Sequence, residues 1–197
     1  MFAVVESGSI MKYLNGNKGL KIGDIQYPYS IFTLWSESER NNIGIYTVEY
    51  DNSNKKDEKW YVNTSQSYAF ADNKVTGTYG TATAKPHADT LFTAQDETDG
   101  FGTEGDVKTE GLKTQLIRAV KVEAKAILGE TDWYVVRKAD TDEAVPSSIA
   151  THRAAVRTKQ ASMETAITNA SDTPALETLY TRNNSGVRPL GDLPRLI

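Results

Sequence analysis

The sequence predicts an α+β protein in which a small antiparallel β domain precedes a helical domain. Eight of the ten tyrosines lie in residues 1–85, whereas twelve alanines follow position 106 against five in the first 85 residues. Tyrosine favours strands and alanine favours helices. Residues 86–106, between these parts, carry six acids and no base. We therefore predict a β-rich domain (1–85), an extended acidic connector (86–106), a helical domain (107–182) and an irregular C-terminal tail (183–197).

Short runs of β-branched and aromatic residues predict the strands of the first domain. Ser7-Gly8 and Asp72-Asn73 separate neighbouring runs and tolerate the positive φ angles that tight hairpins need. Ser36 and Glu39 have the spacing of a capping box, which predicts a short helix. The expected architecture is an antiparallel meander interrupted by that helix, with strands at 2–5, 10–14, 43–50, 60–63, 67–71 and 75–79.

Helical periodicity marks the second domain. Apolar residues recur every three or four positions from Leu112 to Ile127, between Gly111 and Gly129, which predicts a helix of about five turns. Pro146-Ser147 is typical of a second helix start, and the two long helices are expected to form an antiparallel hairpin. A short third helix at 174–180 follows a capping cluster at 171–173.

The connector has few apolar residues with which to pack. Leu91, Phe92 and Phe101 are its apolar anchors, whereas ordering a backbone costs about 1 to 2 kcal/mol per residue. Folding onto its own chain is therefore expected to recover little free energy. We expect this segment and the tail to contact other chains, with the three apolar residues in pockets and the acids beside basic side chains.

Composition excludes several classes of site. The chain has no cysteine, and its two histidines, His87 and His152, are far apart in sequence, so we expect no metal site, no cofactor and no catalytic centre. The glycine-rich run 100–105 follows acids rather than a strand, which favours a loop over a dinucleotide site. Its acids also miss the order of a calcium-binding EF-hand loop, and a solvated spacer is the favoured interpretation.

The net charge and the first six residues indicate which classes of partner to expect. The net charge is −4 and no stretch interleaves bases with aromatics, so we expect no nucleic-acid binding. The run 1–6 has no basic segment and contains a glutamate at its sixth position, which predicts neither a signal peptide nor membrane insertion. The tyrosines and tryptophans of the first half could form a sugar-stacking face, although such residues more often form the core of a small sheet.

Two parts of the sequence resemble bacteriophage tail fibre assembly and tail assembly chaperone-like proteins. In that family a helix ends in Asp-Trp, an acidic loop containing proline follows, and a helix with the pattern aromatic-Arg-x-x-Leu-Arg closes the unit. The residues that carry the likeness are Asp132, Trp133, Asp140, Arg153, Val156 and Arg157. His152 stands in place of the aromatic, and valine in place of leucine. The runs 2–8 and 43–48 also resemble the start of such proteins, and the overall pattern is similar to small tail-associated proteins of marine tailed phages.

The resemblance implies a structural component of a phage tail, associated with fibre, nozzle or baseplate. It would be assembled in the host cytoplasm, reside in the virion tail, and contact other tail proteins and copies of itself. The same resemblance implies an alternative, an assembly chaperone that is absent from the mature virion. A glycan-binding receptor module is a second alternative.

The motif residues also carry an expectation about packing. A tryptophan in a short motif beside a helix is typically a packing anchor, so we expect Trp133 to be buried against the two long helices. We expect Arg153 or Arg157 to pair with Asp132, with Asp140 or with a neighbouring carbonyl. The acids around 132–143 are expected to lie in a polar loop between the helices, rather than to form the paired carboxylates of a glycosidase.

Overall fold

A computed structural model describes residues 1–196 of the chain and divides it into two compact units, Met1–Thr83 and Ala84–Ile197. Strands dominate the first unit and helices the second, which confirms the predicted α+β class. Among the described residues, no helix is long and apolar enough to cross a membrane.

The first unit contains the predicted strands and several elements that local patterns did not indicate. Its helices are α1 (Ile31–Leu34) and α2 (Glu37–Asn42), and the second begins with the predicted Ser36–Glu39 capping box. Its strands are β1 (Phe2–Glu6), β2 (Ser9–Leu14), β3 (Leu20–Ile22), β4 (Ile25–Tyr27), β5 (Ile45–Asp51), β6 (Tyr61–Val62), β7 (Gln66–Ala71) and β8 (Lys74–Tyr79). A two-residue strand, β9 (Thr83–Ala84), follows at the boundary of the unit.

Five strands form the main sheet in the order β2-β1-β5-β8-β7. The predicted hairpin turns are confirmed, since Ser7, Gly8, Asp72 and Asn73 all have positive φ angles. The predicted antiparallel meander is wrong, because β1 lies between β2 and β5, and β5 and β8 pair in parallel. The chain leaves β5, continues to the sheet edge as β7, and returns as β8 beside β5. A parallel pair requires such a crossover, which short-range sequence patterns do not reveal.

The sheet has apolar residues on both faces. On one face Val4 and Ile45 are buried with Leu20 and Ile31. On the other, Ala3, Val5, Val48 and Val75 form a second buried cluster. The two edge strands approach each other on this side, where the rings of Tyr13 and Tyr68 lie 4.9 Å apart. The sheet therefore curls around its second cluster and buries it without a covering helix.

The second unit is built around two long helices. These are α4 (Leu112–Gly129) and α6 (Ser147–Asn169), and a short α7 (Thr173–Tyr180) begins at a side-chain cap from Asp172, as predicted. Helices α4 and α6 pack on each other, and their buried residues include Val120, Ile127, Val156 and Met163. Residues 181–196 form neither a helix nor a strand, and Leu190 and Leu193 among them are buried.

Residues 86–106, the acidic arm hereafter, are not an extended connector in the structure. The arm contains β10 (Thr90–Leu91) and α3 (Ala94–Thr98), and β10 pairs with β11 (Val107–Thr109). Thr93 and Asp96 form a capping box at the start of α3. The arm is therefore ordered by hydrogen bonds within its own unit, although it buries few apolar side chains.

The first residues of the arm, 86–89, which we call its root, are bound to the start of α4. Gly111 precedes α4 and has no side chain to cap it, but Asp89 accepts hydrogen bonds from the Gly111 amide at 2.7 Å and the Thr114 hydroxyl at 2.8 Å. The amides of Leu112 and Lys113 donate to the carbonyls of residues 86 and 87. The free amides of a helix start are thus satisfied by the arm, at a sequence distance beyond the reach of local capping rules.

Candidate functional site

The segment that carries the family-like motif forms a helix, α5 (Asp132–Thr141), between α4 and α6. The predicted polar loop is therefore wrong over this stretch. The acids at 140, 142 and 143 lie at the exposed end of α5 or just beyond it. Asp142 adopts the left-handed conformation that ends the helix, with φ of 60°. An aromatic and β-branched run of low helix propensity concealed this helix from sequence analysis.

Arg153 joins the three helices. Its side chain is 7% exposed and donates to the Leu128 carbonyl at 2.7 Å, the Thr131 hydroxyl at 2.7 Å and the Asp132 carboxylate at 2.8 Å. The predicted pairing of Arg153 with Asp132 is confirmed. A cation here neutralises the carbonyl end of α4, while Asp132 lies in the first turn of α5. The motif pair therefore fixes the turn between α4 and α5.

Other motif residues have different surroundings. Val156 is fully buried on α6, as expected of a packing residue. Arg157 is exposed one turn beyond Arg153, and among residues 1–196 it has neither an ion pair nor a hydrogen bond through its side chain. Asp140 is exposed and forms no ion pair in the described chain. Arg153 therefore makes the predicted pairing with an acid, and Arg157 makes none within residues 1–196. His152 is half-buried, and its Nε2 has no hydrogen-bond partner within that part of the chain.

The prediction that Trp133 is buried is wrong. Its side chain is 52% exposed, because Asp132 is held by Arg153 and the adjacent position on α5 consequently points outward. Its ring lies 3.9 Å from that of Tyr134, and the Arg137 guanidinium lies 4.7 Å above it. This stacking orders Trp133 without hiding it.

The whole of α5 lacks a buried residue. Val135 and Val136 are also exposed, so three large apolar side chains of one ten-residue helix meet solvent. A helix with apolar residues normally buries them against its own fold. Trp133, Val136 and Arg137 stand at i, i+3 and i+4 and share one face of the helix, which we call the α5 patch. Exposed apolar side chains that share one helix face are typical of a binding surface.

The acidic arm presents a second apolar feature. Phe92 is half-buried and Leu91 is exposed, whereas Phe101 is 70% exposed at the tip of the arm. The turn at this tip follows α3, and the Phe101 amide donates to the carbonyl of Asp96. Asp96 also accepts from Lys108 Nζ at 2.6 Å, and this bond, with those from Thr93, lowers the pKa of Asp96 to about 2. The tip is therefore held by a carboxylate that stays ionised in mildly acidic solution.

A groove lies beside α6, with a volume of about 640 Å³. Leu128 and Ala161 supply apolar lining, and Arg157 and Glu164 supply charge. Glu164 is already bound by Lys121 at 3.5 Å and by Gln160 at 2.8 Å. Arg157 is thus the lining charge that has no partner in the described chain. Sequence analysis did not indicate this groove, because it depends on how α4 and α6 pack.

Within residues 1–196, no group of three or more histidine, aspartate or glutamate side chains is placed to hold a metal ion. Comparison of the chain with models of protein families, with curated proteins and with solved structures finds no match.

Proposed function

We infer that this protein is a structural component of a bacteriophage tail, associated with fibre, nozzle or baseplate, and that it acts through protein–protein contacts. The single observation that carries the binding part is the α5 patch, in which a stacked Trp133 and Val136 are exposed on a helix that has no buried residue. Tryptophan and arginine are the residues most enriched at the energetic centres of interfaces. The tail assignment comes from the sequence likeness at Asp132-Trp133 and Arg153-x-x-Val156-Arg157.

The same residues suggest how the patch is presented. Arg153 and Asp132 fix the start of α5, and Arg137 is stacked on Trp133 while it pairs with Glu143 at 3.1 Å. A side chain that is ordered before binding loses less conformational entropy when a partner covers it. The α5 patch therefore has the character of a preorganised anchor for another tail protein.

An assembly chaperone that leaves before maturation is the alternative, because an exposed anchor also suits transient binding. Mass spectrometry of purified virions of the encoding phage separates the two. Stoichiometric amounts of this chain are expected for a structural component, whereas its presence in lysates but not in virions would favour the chaperone.

A binding experiment tests the patch itself. Immobilised full-length chain is expected to retain one tail protein from dissociated tails, and Trp133→Ala is expected to lose it. Val122→Ala, an exposed apolar substitution on α4, serves as the matched control. Equal retention by the wild type and by Trp133→Ala would contradict the assignment of the α5 patch.

A further inference from the structure

The second unit separates its charges. The acidic arm carries six acids and no base, whereas α4 and α6 together carry seven Lys/Arg and two Glu. Attraction between such surfaces steers association and sets its orientation. The acids of the arm and the bases of the helices could pair within one chain if the arm tip lay on α4 and α6.

The structure does not use that arrangement. Glu97, Asp99, Glu104 and Asp106 of the arm are exposed, and none forms an ion pair with any residue in 1–196. The groove beside α6 is lined by residues of α4 and α6, with none from the arm. The arm tip and the groove are therefore both uncovered, and Lys125 and Arg157 are the bases of α4 and α6 whose side chains have no partner within residues 1–196.

The arm tip and the groove also match in apolar character. Phe101 extends from the tip between acids, and the groove places Leu128 and Ala161 beside the unpaired Arg157. A volume of about 640 Å³ exceeds that of one aromatic side chain several-fold. An apolar anchor inside a ring of opposite charges is the usual anatomy of a small interface.

We propose that copies of this chain associate head to tail, with Phe101 of one copy seated in the α4–α6 groove of the next and the acids of the arm facing Arg157. The inference rests on the proposed function, since it specifies one of the contacts through which a tail component would act. A contact between two different surfaces is heterologous, and it closes into a ring or continues as a filament. Rotational symmetry about a tail axis requires contacts of this kind.

Sedimentation velocity of the full chain over a range of concentrations tests the contact. The wild type is expected to self-associate, and less so at high salt, because the acids and Arg157 attract through water-accessible charge. Phe101→Ala and Arg157→Glu are each expected to raise the Kd by about tenfold or more. Leu34→Ala and Lys138→Glu are matched controls, an exposed leucine of the first unit and a lysine of α5, and both are expected to associate like the wild type.

A mixture of the two variants tests whether the contact joins the arm of one copy to the groove of another. Phe101→Ala keeps an intact groove and Arg157→Glu keeps an intact arm, so a mixture is expected to form a one-to-one complex and nothing longer. A wild type that stays monomeric at its highest soluble concentration would overturn the proposal, as would unchanged association of both variants or a mixture that forms no complex. If any of these results were obtained while the chain was found in virions, the head-to-tail contact would be refuted but the proposed tail function would not. Failure of the contact can thus be distinguished from failure of the proposed function.

Discussion

The two units solve the same packing problem differently. The β unit has apolar residues on both faces of a sheet and hides both, one beneath Leu20 and Ile31 and the other by curling. The helical unit buries one stripe of α4 and α6 but leaves α5 and the arm tip uncovered. Both units also expose large apolar side chains, among them Ile25 and Leu34 in the first and Phe101 and Trp133 in the second. The contacts proposed above use two exposed features of the second unit, the α5 patch and the arm tip.

Trp60 in the first unit and Trp133 in the second give the largest test of how the two units bury their aromatic residues. Trp60 is 3% exposed, so Trp60→Ala is expected to lower the free energy of unfolding by about 3 to 5 kcal/mol. Trp133→Ala removes a half-exposed ring, and we expect a loss of about 1 kcal/mol or less. Chemical denaturation followed by circular dichroism measures both. Equal losses for the two variants would break the contrast between the units.

Arg153 and Arg157 on α6 allow a bonded and an unbonded arginine of the helical unit to be compared for their effect on stability. Arg153→Met removes the cation that pairs with Asp132 and one of the donors to the Leu128 carbonyl, which keeps its bonds from Thr131, and we expect a loss of about 2 to 3 kcal/mol. The value lies below that of a fully buried pair because Asp132 remains in contact with water. Arg157→Met is the control one turn away and is expected to change stability by less than about 0.5 kcal/mol. Similar effects at both positions would show that Arg153 does not hold the turn between α4 and α5.

The glycines that flank α4 test the root of the arm. A Cβ at position 111 would lie 2.3 Å from the backbone of Ala88, so Gly111→Ala is expected to cost about 1 to 3 kcal/mol through a displaced arm. Gly129, the last residue of the same helix, has open space around it. Gly129→Ala is expected to stabilise by up to about 1 kcal/mol through helix propensity. Thermal unfolding of both variants measures these changes in stability. An unchanged melting temperature for Gly111→Ala would mean that the arm does not pack against the start of α4.

A local pH effect is expected at the arm tip. The pKa of Asp96 falls from 3.8 to about 2 because Lys108 and Thr93 bond its ionised form. Protonation removes that stabilisation as the pH falls from about 4 through 2, since the unfolded segment takes up its proton first. Hydrogen exchange of residues 91–108, corrected for intrinsic rates, is expected to accelerate in this window. Asp96→Asn is expected to show the faster exchange already at neutral pH, and Asp99→Asn is expected to resemble the wild type. Protection that is unaffected by Asp96→Asn would refute this role.

Sequence patterns predicted the elements whose signals are local. The apolar repeat of α4 between two glycines, the Ser36–Glu39 capping box and the hairpin turns at positive φ all appear where their residues indicate. Patterns of three or four residues suffice for these, because the physics that forms them spans one turn.

The remaining features depend on residues far apart in sequence. Asp89 caps α4 from 22 residues away, and the parallel pairing of β5 with β8 follows from a crossover. Trp133 is exposed because Arg153, on another helix, sets the start of α5. The motif therefore indicated that Asp132, Trp133 and Arg153 belong together, but not which of them would be buried.

Cross-linking mass spectrometry of purified virions tests the central claim most directly, because it asks both whether the chain is in the particle and which unit touches its neighbours. Lysines are available on both units, with Lys12 and Lys21 on the first, and Lys108 and Lys138 beside the arm tip and the α5 patch on the second. We expect the chain in the particle, with intermolecular cross-links concentrated at Lys108 and Lys138. A chain that is missing from virions, or one whose intermolecular cross-links come from Lys12 and Lys21 alone, would contradict the account.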